Sequence, residues 1–131
     1  ETDSSSGYIT LNDGSTTTNA IFIQYRNTGE LRLYNGGTST AQMIYRDASA
    51  DLTENIKLAI KYGTTTGSYK VYINGISKTI EGAFVATAMS GLSKLQFAYS
   101  NGTSNLFRGK VKQLMVFKTA LSDSDLATLT S

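Results

Sequence analysis

Eight tyrosines run through this 131-residue chain, and no histidine, cysteine or tryptophan accompanies them. Lacking His, the chain has neither the commonest general base nor the commonest metal ligand, and no Ser-His-Asp relay can be assembled. Lacking Cys, it offers no disulfide and no thiolate site for a metal. Hydrolysis of a glycosidic bond needs two carboxylates flanking that bond. Here the glutamates stand isolated at positions 1, 30, 54 and 81, and no expected strand carries acids two or four residues apart. A Ser-Lys pair is conceivable among the many serines, but polar loop positions explain the same serines more simply. The residue types therefore imply a protein that is not an enzyme, with no catalytic residue, no dedicated metal site and no cofactor.

Recognition is the chemistry these side chains can supply. Tyr34, Tyr45, Tyr72 and Tyr99 lie next to loop-forming runs or opposite the apolar phase of their segments. An exposed Tyr presents a flat ring to the C–H face of a sugar and a hydroxyl to its polar edge. Asn35, Asn101, Asn105, Arg32 and Arg108 stand close by in sequence and have the donors and acceptors to bond sugar hydroxyls or acidic groups. The candidate ligand-binding set is therefore Tyr34, Tyr72, Tyr99, Asn35, Asn101, Asn105, Arg32 and Arg108. For each residue alone the competing account is ordinary cross-strand pairing. Tyr25, Tyr62 and Tyr69 share a phase with aliphatics and are assigned to the core.

Strands must position those side chains. Short apolar runs recur between clusters of Gly, Ser, Thr and Asn, the pattern of an antiparallel all-β sandwich or barrel. The runs predict strands at 8–11, 20–26, 30–34, 41–45, 56–62, 68–74, 77–80, 94–99 and 109–117. In "IKLAIKY", Ile56, Leu58, Ile60 and Tyr62 share one face and Lys57, Ala59 and Lys61 the other, which predicts a wet cationic side. In "YKVYING", Tyr69, Val71 and Ile73 oppose Lys70, Tyr72 and Asn74, and Asn74-Gly75 predicts a type I′ hairpin. Further turns are expected at "RNTGE", "YNGGTST", "YGTTTGS" and "YSNGTSN". The apolar run between Gly82 and Gly91 is read as a crossover over the core.

The last expected strand keeps Val111, Leu114 and Val116 on one face only with an extra residue near Lys112 and Gln113, as a β-bulge would supply; a strand buried on both faces is the other account. Beyond it, Ser122 followed by Asp125 has the form of a capping box, and Leu121 and Leu126 stand where a hydrophobic staple requires them. A short C-terminal helix is predicted. The 12 Lys and Arg against 10 Asp and Glu are dispersed rather than clustered, so the pI near 8.9 implies a solvated surface and no nucleic-acid partner. No run of 18 apolar residues occurs, and membrane insertion is not expected. One domain over residues 1–131 is expected.

The stretch "FRGKVKQLMVFKTALSDSDLATL" resembles the closing strand and helix of laminin-G-like, concanavalin A-type jelly rolls, and "NIKLAIKY...YKVYING" is similar to the strand pair that precedes it there. "GYITLNDGSTTTNAIFIQYRNTGELRLYNGG" resembles the middle strands of a subgroup met in bacteriophage virion and tail-fibre proteins. The resemblance implies an antiparallel jelly-roll β-sandwich on a virion surface or outside the cell. It implies non-catalytic attachment to host-surface carbohydrate, with a purely structural capsid or fibre module and an accessory carbohydrate-binding module of a polysaccharide-degrading enzyme as alternatives. Such domains open with further strands, so this chain reads as the C-terminal part of a longer one, with an open sheet edge that favours association and, by resemblance to fibres, a trimer. Some laminin-G-like domains bind calcium. The candidates for that here are Asn12, Asp13, Asp47 and Asp51, for which simple Asx turns are the favoured reading.

Overall fold

Period-2 alternation folds the first third of the chain into a meander. In the computed structural model, which describes residues 6–14, 18–26, 30–35, 43–46, 55–62, 69–78, 89–99 and 104–131, β1 (Gly7–Asn12), β2 (Ala20–Arg26), β3 (Glu30–Asn35) and β4 (Met43–Arg46) pair antiparallel in succession. β8 (Lys94–Gln96) joins the far side of β1, completing a sheet of order β4-β3-β2-β1-β8. Register separates its faces. Ile21, Ile23, Leu31 and Leu33 occupy one phase of β2 and β3, and Phe22, Gln24, Arg32 and Tyr34 the other.

The second sheet has the order β5-β6-β7, with β5 (Leu58–Lys61), β6 (Lys70–Ile73) and β7 (Ile76–Lys78). Asn74 and Gly75 between β6 and β7 have φ of 50° and 79°, the left-handed pair that a type I′ turn requires. The Asn74 N–H donates to the Lys57 carbonyl at 3.0 Å, and Asn74 Oδ1 accepts from Lys57 N at 2.9 Å. The hairpin tip is thereby tied to the approach to β5.

The two sheets meet through their apolar phases. Ile21, Leu31 and Leu33 of the first sheet cluster with Val71 and Ile73 of the second, and Ile23, Ile56, Leu58, Ile60, Met89 and Leu92 pack around them. Burying a side chain of this size stabilises by roughly 1.5–3 kcal/mol before conformational entropy is charged against it.

α1 (Asp123–Thr130) starts as its sequence predicts. Ser122 Oγ accepts from Asp125 N at 3.1 Å while Ser122 N donates to Asp125 Oδ2 at 3.3 Å, so the capping box is complete. Asp123 and Asp125 in the first turn also suit the positive end of the helix dipole. The helix lies across the outer face of the second sheet: Lys61 Nζ pairs with Asp123 Oδ1 at 3.1 Å, Lys57 Nζ donates to the Ser131 carbonyl, and Gly75 N donates to Thr130 Oγ1 at 3.1 Å. The side of β5 expected to be wet is therefore a helix dock.

The main departure from expectation is segment 109–117. It forms no strand, its residues have no ladder partner among the described residues, and Val111, Leu114, Met115, Val116 and Phe117 are exposed, Val116 at 62%. Alternation specifies what a strand would bury; it does not supply the neighbouring edge that its N–H and C=O groups need. β8 likewise stops at Gln96, short of the expected Tyr99, because Phe97 O accepts from Phe107 N and Tyr99 N donates to Ser104 O. Tyr69 is core as expected, whereas Tyr62 is 36% exposed. The expected strand 41–45 is observed as Met43–Arg46, and that at 77–80 begins at Ile76, its last two residues lying outside the described ones. The expected crossover is described only from Met89 onward.

Candidate functional site

Residues of β1, β2 and β3 that face away from the core fall into cross-strand rows. Tyr8, Gln24 and Arg32 form one row, Thr10, Phe22 and Tyr34 the next, and Arg26 and Glu30 stand at the end beside residues 27–29. Tyr99 lies over this face. Its ring stacks on Phe22 at 5.2 Å and meets Tyr8 edge-on at 4.9 Å, geometries that suit the quadrupole of each ring. Phe22 is buried beneath it, Thr10 Oγ1 donates to the Ala98 carbonyl at 2.6 Å, and Tyr8, Tyr34 and Tyr99 remain half-buried at the surface.

Polar groups connect the rings. The Tyr34 hydroxyl donates to Gln24 Oε1 at 2.8 Å. Burial, then the neighbouring Tyr34 and Tyr99 phenols, push the Tyr8 phenol above its ordinary range, against a hydrogen bond from Gln24 and the charge of Arg26. Glu30 Oε2 takes two guanidiniums at once, Arg32 NH2 at 2.7 Å with Arg32 Nε at 2.9 Å, and Arg26 NH1 at 3.4 Å. Hydrogen bonding to the Tyr34 side chain, and then Glu30, raises the pKa of Arg32 against its partial burial. In β4, Arg46 stands in register with Glu30. The face thus joins an aromatic cluster to an arginine-rich end.

Of the residues singled out in the sequence, the fold brings Arg32, Tyr34 and Tyr99 together on this face. Asn105, with φ of 47°, lies between the two residues that bridge to it, Ser104 opposite Tyr99 and Leu106 beside Tyr8. Arg108 N lies close to Gly7 at the same end. These two exposed residues border the Tyr8–Tyr99 edge. Asn35 closes β3 in register with Ile21, and Asn101 lies outside the described residues. Tyr72 is a correction. It belongs to the other sheet, in register with Ala59 and Ser77 on the face that α1 covers, and is only 8% exposed; a helix fifty residues downstream closes over a side that looks solvated in its own segment.

Tyr8, Gln24 and Arg26 were not singled out from sequence. The signal for Gln24 and Arg26 is the "RNTGE" turn: closing Arg26 on Glu30 fixes the register that sets Gln24 beside Arg32 and Phe22 beside Tyr34. Among the calcium candidates, Asn12 Oδ1 accepts from Gly14 N at 2.7 Å, the Asx turn that was favoured, and its amide donates to Gln96 Oε1 at 2.6 Å. Asp13 Oδ2 accepts from Asn19 at 3.2 Å. Asp47 and Asp51 lie outside the described residues, and among the described residues no three acidic side chains gather.

The family model of laminin-G type described as the concanavalin A-like lectin/glucanases superfamily matches residues 1–127. The chain belongs to that superfamily. Two packed antiparallel sheets and a closing helix agree with the jelly-roll sandwich of concanavalin A-like domains. The crystal structure of an S-layer domain-containing protein from Clostridium thermocellum is similar over the whole of this chain and 65% of its own, at 16% identity and a TM-score of 0.36. The chain spans just under two thirds of that structure's length. No curated protein matches the sequence. Among the described residues of this concanavalin A-like domain, no helix is long and apolar enough to cross a membrane.

Proposed function

We propose that this domain is a non-catalytic recognition module that binds carbohydrate on the outer face of its five-stranded sheet. The observation that carries the reading is the cluster in which half-buried Tyr8 and Tyr99 pack with buried Phe22, continuing through buried Gln24 into Tyr34 and Arg32 at the surface. Rings already held in place by one another present apolar area at little entropic cost, and the adjoining hydroxyl and guanidinium supply directional bonds. Superfamily membership is compatible with carbohydrate as the ligand. Glu30, the acid on this face, is engaged by two arginines, which suits an orienting group and not a proton donor. The resemblance of the sequence to phage fibre domains supports a virion-surface or extracellular setting and a host-surface glycan. Attachment to a polysaccharide-degrading enzyme would use the same face.

The experiment is a glycan panel probed with the wild-type chain and with Tyr99→Ala. Binding to a subset of glycans, weakened at least tenfold in Tyr99→Ala, is expected; a folded protein that binds none refutes the reading. One observation favours a second role as an assembling structural module: the exposed apolar residues Val111, Leu114, Met115, Val116 and Phe117 within one segment. Sedimentation that shows association, and its loss in Val116→Asp, would support that role and permit a trimer. A monomer at every concentration would remove it.

A further inference from the structure

Among the described residues, two arginines at this end of the face share one carboxylate. Two guanidiniums converge on a single carboxylate oxygen, Glu30 Oε2, and the side chains differ in exposure in a telling order: Glu30 at 11%, Arg32 at 22%, Arg26 at 36%. The anion is sunk and the cations are outermost. Arg26 spends NH1 on Glu30 at 3.4 Å, a long contact, and makes no other ion pair among the described residues. A guanidinium carries five donors in a planar fork that matches a carboxylate, so Arg26 retains most of its hydrogen-bonding capacity. Glu30 acts as a floor that fixes the direction of both forks, and the register sets the backbone of Arg46 in β4 opposite Glu30. Next to this end stand Gln24 and the Tyr34 hydroxyl, and beyond them the Tyr8 and Tyr99 rings.

We propose that the glycan bound here is acidic, a uronic-acid-containing polysaccharide whose carboxylate docks on Arg26 and Arg32 while a neighbouring sugar ring lies against Tyr8, Tyr34 and Tyr99. This inference rests on the carbohydrate-binding reading and adds the chemical class of the ligand. Rows of an antiparallel sheet are about 5 Å apart across strands and about 7 Å apart along them. Arg32 shares the row of Tyr8, and Arg26 stands about 7 Å from that row and about 14 Å from the row of Tyr34, a span of roughly one to three sugar units. Partial burial of the forks lowers the local dielectric, so the pairing persists at salt concentrations that would screen a fully exposed contact.

The test compares binding of a linear polyuronate, a neutral glucan and dextran sulfate to the wild type, Arg26→Gln, Arg26→Lys and the charge-matched control Lys110→Gln, Lys110 being exposed in the segment after β8. Preference for polyuronate over glucan of at least about tenfold, lost in Arg26→Gln, is expected for a charge-assisted contact. Arg26→Lys keeps the charge and loses the fork, and is expected to recover only part of the affinity; it also serves if Arg26→Gln melts early. Equal or better binding of the neutral glucan, abolished by Tyr99→Ala, overturns this proposal and leaves the carbohydrate reading standing. Binding to dextran sulfate alone, or an equal loss in Lys110→Gln, overturns it in favour of another anion or of diffuse charge. Failure of all three polymers to bind, with the fold intact by circular dichroism, overturns this proposal, while the glycan panel decides the wider reading.

Discussion

Replacing Tyr72 with Ala separates two accounts of that ring. Facing away from Val71 and Ile73 within its own strand, Tyr72 resembles a ligand contact; in the fold it is 8% exposed beneath α1, whose Leu126 is also buried. Large aromatic-to-Ala changes at buried sites cost about 3–5 kcal/mol. Because the sheet face that carries this ring is covered by a two-turn helix that can settle inward, the lower end, about 3 kcal/mol, is expected. For a domain of this length each kcal/mol moves the midpoint by roughly 3–5 °C, so Tyr72→Ala should melt about 10 °C early by circular dichroism. Tyr72→Phe, which keeps the ring, should melt within a few degrees of the wild type. Leu126→Ala in the Tyr72→Ala background should cost less than it does alone, with a coupling of about 0.5–3 kcal/mol, because the two share one packing unit. Below the transition, glycan binding by Tyr72→Ala should match the wild type. A variant with an unchanged melt and lost glycan binding would show that Tyr72 is a contact residue and that α1 does not cover it.

Three further outcomes follow from the geometry. Ser122→Ala removes the helix cap and should cost about 1 kcal/mol, read as faster hydrogen exchange in the amides of 123–130 with the sheet amides little changed; unchanged exchange would contradict the capping role. Gly75→Ala places a Cβ where φ is +79° and 3.4 Å from the Ser131 Cα; a cost of about 1–2 kcal/mol in chemical denaturation is expected, and a neutral substitution would contradict the I′ turn. The Tyr8 phenol, raised by burial in the folded state, should ionise later than an ordinary Tyr at about pH 10. The unfolded chain then sheds that proton first, so Tyr8 contributes stability below about pH 10 that is lost as pH rises toward its folded value; Tyr8→Phe should remove a late-titrating component from the phenolate absorbance.

Local pattern made part of this fold legible. The alternation of "IKLAIKY" and "YKVYING" locates β5 and β6 and identifies the side chains that reach the core, Asn74-Gly75 announces the hairpin, and Ser122 with Asp125 announces α1. These features depend on residues within a few positions of one another. The candidate site depends on partners far apart. Tyr34 and Arg32 are visible as loop-flanking residues, but Tyr8 becomes part of the site only through its register with Gln24 and its contact with Tyr99, ninety-one positions away. Tyr72 misleads for the same reason in reverse, because its cover comes from α1. Segment 109–117 has the composition of a strand, yet composition cannot provide an edge for it to pair with. Sequence spacing reports faces well and neighbours poorly.

The joining of β1 to β8 has a consequence for how the molecule comes into being. Thr10 bonds to the Ala98 carbonyl across 88 positions, and Leu11 pairs with Leu95, whereas the β1–β2, β2–β3 and β3–β4 pairings each join consecutive strands. During synthesis the meander can form as soon as its strands emerge, but Tyr99 reaches Tyr8 and Phe22 only after the long stretch that follows β4 has been made. Pairings of such long range carry the largest loop-closure cost and form late. The aromatic face is therefore among the last features to assemble, and a nascent or misfolded chain lacks the ring cluster on which any ligand of that face would have to settle.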